Sequence, residues 1–108
     1  MATATSLTAG GGRNAFDTIA ASTSNSSLVA AQSGKRIRVL AVAISCGASA
    51  STVQFKSNTT AISPVYQNSI SSPRIKGGWF QTAVGEELRV DTGAGSNTGV
   101  LVVWEYAK

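Results

Sequence analysis

Hydrophobic positions along this chain recur mainly in twos. "TVQFKS" (52–57) places Val53 and Phe55 on one side and Gln54 and Lys56 on the other, the alternation of a half-buried strand. "EELRVDT" (86–92) repeats the pattern with Leu88 and Val90 inward, and "VLVVWEYAK" (100–108) sets Val100, Val102, Trp104 and Tyr106 on one face. The strongest strand is "KRIRVLAVAISC" (35–46). There Ile37, Val39, Ala41 and Ala43 share one face, and Leu40, Val42 and Ile44 share the other, with Arg36 and Arg38 at its outer end. Apolar on both sides, it reads as a central strand covered on both faces. "NAFDTIAAS" (14–22) alternates more loosely, Phe16 and Thr18 against Asp17 and Ile19, and "SLVAAQ" (27–32) is a further weak strand. "AISPVYQ" (61–67) carries Pro64, which confines it to an edge strand or a loop.

Turn signals separate these runs: "SG" at 33–34, "GASAS" at 47–51, "SNTT" at 57–60 and "GAGSNTG" at 93–99. "NSISSPRIKGG" (68–78) reads as a long loop with a short strand around Arg74 to Lys76. No stretch keeps a 3.6-residue apolar period over ten residues. Many short strands at close spacing predict an all-β fold, a single antiparallel β-sandwich or jelly-roll-like barrel over residues 13–108. Residues 1–12, "MATATSLTAGGG", have no periodicity and read as a flexible N-terminal arm, loose or draped on a neighbour.

Composition changes the picture in one respect. Charged residues make up 13% of the 108, about half the usual share of roughly 25%, and Ser, Thr, Ala and Gly take their place. A free soluble monomer keeps a densely charged surface, so much of this surface is expected to be covered by partners. The formal net charge of +4 suits an acidic partner but is too small to imply nucleic acid by itself. The N-terminus lacks a secretory apolar core, and the longest apolar run, "VLAVAI" at 39–44, has strand length, so no membrane span is expected. A lone cysteine, Cys46, forms no internal disulfide and points to synthesis in a reducing cytoplasm.

Candidate chemistry narrows quickly. Histidine is absent, which removes the commonest general base and the nucleophile systems built on it. With one cysteine and no histidine, a structural zinc site has too few ligands. The acids are Asp17, Glu86, Glu87, Asp91 and Glu105. Glu86 and Glu87 are strand neighbours and point to opposite faces, as do Glu86 and Asp91, so neither pair can flank one glycosidic bond. "GAGSNTG" lies between two strands with no following helix and reads as a hairpin turn, not a phosphate cradle. Cys46 reads as a small buried hydrophobe. No enzyme activity, cofactor, metal or small-molecule substrate is expected.

What remains is interaction. Arg36 and Arg38, two apart on a strand, lie on one face and can grip carboxylates or phosphates. A single-strand or RNA reader would interleave aromatics with them, and none lies within ten residues, which disfavours nucleic acid. "KGGWF" carries Trp79 and Phe80, the only adjacent aromatics; one is expected to plug the sandwich end and the other to anchor a partner. Arg13, where the arm joins the domain, completes the set of interface candidates.

"GKRIRVLAVAISCGASASTVQFKS", then a Pro-containing loop, "GGWFQTAVGEELRVD" and a final "GVLVVWEY" together resemble small β-sandwich virion proteins of tailed bacteriophages, nearest to the capsid decoration, or cement, class. The resemblance covers residues 34–106. It implies a homotrimer on the outer capsid surface that ties major capsid subunits together, with the arm reaching across a neighbour. The protein would be made in the host cytoplasm and located in the virion. The alternative expectation is a receptor- or carbohydrate-binding module of a phage fibre, motivated by Trp79.

Overall fold

The computed structural model describes residues 3–5, 13–46, 51–67, 70–71, 78–95 and 97–108. Among them there is no helix, and the strands are β1 (Thr3–Thr5), β2 (Arg13–Ile19), β3 (Ser26–Val29), β4 (Arg36–Cys46), β5 (Thr52–Ser57), β6 (Thr60–Ala61), β7 (Tyr66–Gln67), β8 (Ile70–Ser71), β9 (Phe80–Gln81), β10 (Leu88–Thr92) and β11 (Thr98–Ala107). They form two antiparallel sheets. The first has the order β1-β2-β11-β4, with β8 and β9 both on the far edge of β4; the second has the order β3-β10-β5, with β6 and β7 both on the far edge of β5. The sheets close over one core, a β-sandwich.

Alternation decides which side chains enter that core. β5 buries Val53, Phe55 and Ser57, β10 buries Leu88, Val90 and Thr92, and β11 buries Thr98, Val100, Val102 and Trp104. β2 adds Ala15 and Ile19, and β3 adds Leu28 and Val29. The sets of β5, β10 and β11 agree with the alternation of the sequence, whereas the adjacent Leu28 and Val29 of β3 are both buried where its register with β10 shifts.

β4 departs from strict alternation. Its register with β11 shifts, Val103 facing Ala41 and Trp104 facing Val39, so Leu40 has no partner across the ladder. This β-bulge reverses the phase. Ile37 and Val39 before it, and Val42 and Ile44 after it, all join the core, while Ala41 and Ala43 turn outward and are only half-buried. The apolar run on both sides thus records a phase change, not a strand covered on both faces. Leu40 itself is buried but lies outside the core cluster.

One edge of each sheet is built from two short strands. Ile62–Val65 bulge between β6 and β7, and the Phe55 N–H, deprived of a ladder partner, donates to Ser63 Oγ at 2.9 Å. Pro64 therefore sits at an edge, as its missing N–H requires. Along β4, Ser71 faces Ala43 and Phe80 faces Val39. The segment 68–78 thus includes a short strand at β8. The strand expected around Arg74 to Lys76 lies outside the described residues, as does the side chain of Cys46.

Two further expectations change. The expected hairpin at "GAGSNTG" does not form, because β10 and β11 belong to different sheets. The loop crosses the sandwich end so closely that a Cβ on Gly93 would stand 2.1 Å from Thr52 Oγ1 and one on Gly95 2.7 Å from Ser51 Oγ. Within the first twelve residues, Thr3–Thr5 pair with β2, Thr3 opposite Phe16 and Thr5 opposite Asn14. The free edge of β2 offers unpaired backbone groups that any short, small-residue segment can satisfy. The remainder of the expected arm lies outside the described residues.

Candidate interaction surface

The two outer faces of the sandwich differ in chemistry. On the second sheet, the outward positions of β5 and β10 are Gln54, Lys56, Arg89 and Asp91. Lys56 Nζ lies 3.2 Å from Asp91 Oδ2, and Arg89 pairs with Glu87, which also accepts from Ser27 Oγ at 3.2 Å. This face carries paired charges and amides suited to water.

The first sheet is different. Its outward positions run in rows across β2, β11 and β4: Thr18, Gly99 and Ser45; then Phe16, Leu101 and Ala43; then Asn14, Val103 and Ala41. None of these nine is charged. Phe16 is 49% exposed and Leu101 39%, and each is the direct cross-strand neighbour of the other. Beside them lies a groove of about 300 Å³ whose lining includes Phe16, Asp17, Thr18, Ala43, Gly99 and Leu101. Small residues create it, since Gly99 contributes no side chain and Ala43 and Ser45 contribute short ones.

One end of this face is polar. Arg38 faces Gln81 on one side and Glu105 on the other, and its Nη1 lies 3.2 Å from Glu105 Oε2. Arg36 is one outward position further on, opposite Ala107. An apolar centre bordered by charge is the layout of a protein–protein interface.

The residues singled out from the sequence are distributed as follows. Arg36 and Arg38 share the outward face, flanking the buried Ile37. Trp79, 41 residues beyond Arg38 in sequence, is brought beside Arg38: its backbone N–H donates to the Val39 carbonyl at 2.7 Å, and it is 44% exposed. The aromatic absent from the sequence neighbourhood of the arginines is therefore present in space. Phe80 turns inward and stacks at a tilt 5.1 Å from the Phe55 ring. Arg13 serves the core end, with its guanidinium 5.4 Å from the ring centroids of both Trp104 and Tyr106. Thus Arg38 and Trp79 come together with Arg36 one outward position along the strand, while Phe80 packs on Phe55 and the exposed Arg13 lies against Trp104 and Tyr106.

Phe16, Leu101, Gly99 and Ala43 are absent from the sequence candidates. Their signal lies in phase: Phe16 is an aromatic out of step with Ile19, and Leu101 is out of step with Val100 and Val102.

The carboxylates do not converge. Ser57 Oγ donates to Glu86, while Glu87 turns to Arg89 and Ser27. Among the described residues, no three His, Cys, Asp or Glu side chains cluster as metal ligands, and no helix is long and apolar enough to cross a membrane. The other aromatics are engaged: Trp104 is buried, and Tyr66 and Tyr106 pack against the core. Compared with protein-family models, curated proteins and solved structures, the chain matches none.

Proposed function

We propose that this protein is a structural virion component that binds the outer surface of a phage capsid as a decoration, or cement, protein and stabilises contacts between major capsid subunits. The observation that carries the reading is the segregation of charge: one outer face of the sandwich is ionic, and the other has an uncharged centre with an exposed Phe16 and Leu101. A neutral face suits burial against protein, because no charge loses its hydration there. The resemblance of residues 34–106 to decoration proteins supplies the identity of the larger assembly. Weak single contacts suffice in that setting, since many copies engage one shell.

Co-sedimentation with preformed phage heads tests the proposal, together with copy number in purified virions. Retention on heads at a copy number comparable with that of the shell subunit is the expected result. Absence from virions, or occurrence in only a few copies, removes it.

A second reading, a carbohydrate- or receptor-binding module of a fibre, is favoured by one observation, the exposed indole of Trp79 near Gln81 and Arg38. A sugar stacked on that ring would change tryptophan fluorescence. An unchanged spectrum in the presence of host surface polysaccharide counts against it.

A further inference from the structure

We infer that the neutral face of the first sheet is covered by a second copy of this chain, related by a two-fold axis running along β11. The inference rests on the reading of that face as an assembly surface, and it names the occupant.

The geometry is self-complementary. β11 lies between β2 and β4. The β2 side carries the bulky exposed Phe16; the β4 side, in the same and adjacent rows, carries Ala43, Ser45 and Ala41. A two-fold axis along β11 exchanges the sides, so Phe16 of each copy lies over the small-residue shelf of the other and enters the groove beside Gly99. An axis across the strands through the same row would instead set Phe16 against Phe16. Face-packed sheets sit about 10 Å apart with their strands within about 30° of each other, a gap that a large side chain meeting a small one fills well. A two-fold contact repeats this fit twice with one surface.

Charge agrees with the pairing. The three central rows are uncharged, and the first charges beyond them, Arg38 and Glu105, already pair with each other. Asp17, which also lines the groove, is the ionic residue that the contact approaches. The charged face of the second sheet remains in water.

Size sets the strength. Three strands at about 4.8 Å and six residues at about 3.4 Å give roughly 300 Å² of flat face per copy. Standard stable interfaces use about 800 Å² per partner, so the dimer is reversible and depends on concentration.

Sedimentation equilibrium of the full chain over a concentration series, up to about 1 mM as the weak limit of specific association, tests the inference. The expected mass rises from one chain to two. Phe16→Lys should return it to one chain, with an unchanged melting curve because Phe16 lies outside the core. Gly99→Leu fills the groove and should do the same; a Cβ there meets only Ser45, at 3.8 Å or more. A wild type that stays one chain throughout, a discrete three-chain species, or a dimer that survives Phe16→Lys overturns the inference. A monomer that still binds heads overturns the pairing alone, and a dimer that ignores heads overturns the capsid role alone.

Discussion

Trp79 and Phe80 are consecutive residues with opposite fates: Phe80 packs 5.1 Å from Phe55 inside the sandwich, while Trp79 is 44% exposed. The split follows from strand geometry, because Phe80 pairs opposite the inward Val39 and successive side chains alternate. Truncation should therefore separate them. Phe80→Ala removes part of the core and should cost about 2–4 kcal/mol, near the lower range for large aromatic deletions. Trp79→Ala should cost no more than about 1 kcal/mol. Urea denaturation of both variants checks this, and equal losses would show that the indole is structural.

Gly78 supports the same corner. Its φ is +84°, and a Cβ there would lie 2.5 Å from Arg38 Cγ and 2.8 Å from the Val39 carbonyl oxygen. Backbone cannot yield as a flexible side chain can, so Gly78→Ala should cost more than the roughly 1 kcal/mol of left-handed strain alone. Gly85 is the control: φ is +79°, with nothing within 4 Å of the added carbon. Gly85→Ala should show the conformational cost without the clash. Indistinguishable melting temperatures for the two variants would mean that the Val39 strand shifts freely.

Legibility in the sequence tracks regular alternation. β5, β10 and β11 could be read because each keeps one phase from end to end. β4 could not, because the bulge at Leu40 looks, in one dimension, like apolar residues on both faces. The crossing at 93–97 was hidden for a related reason: glycines that permit a tight hairpin also permit close passage over Thr52 and Ser51. On the interaction face, Arg36 and Arg38 were visible as a charge pattern. Phe16 and Leu101 were not, because an apolar residue in a strand is read as core until its neighbours fix the phase. The approach of Trp79 to Arg38 depends on the β9–β4 pairing, which no local signal encodes.

The guanidinium of Arg13 is placed 5.4 Å from two ring centroids, those of Trp104 and Tyr106, whose rings meet edge-on at 4.7 Å. A cation over an aromatic face at partial exposure contributes about 0.5–1 kcal/mol. Arg13→Gln keeps polarity and reach but removes the charge, and it should lower the stability by about that amount. The loss should shrink when Tyr106 is already Leu, since one of the two rings is then gone. A cost identical in both backgrounds would assign the effect of Arg13 to something other than the rings.

Tyr66 gives the fold a dependence on alkaline pH. Its ring meets the edge of Phe55 at 6.3 Å, and burial raises the phenol above its ordinary value of 10.0. The folded state thus holds the proton more tightly than the unfolded chain. Stability from this difference is fully present below pH 10 and is lost as the pH rises through the folded value, where the unfolded chain is already ionised. Tyr66→Phe has no proton to lose. Near neutral pH the variant should match the wild type closely, because Tyr66 Oη is not needed to fill the contact with Phe55. Above about pH 10 the wild type should weaken relative to the variant. Every other side chain is common to the two proteins, so the difference between their denaturation midpoints isolates Tyr66. Midpoints that fall in parallel from pH 8 to 11 would place the phenol in water and remove the argument for its burial.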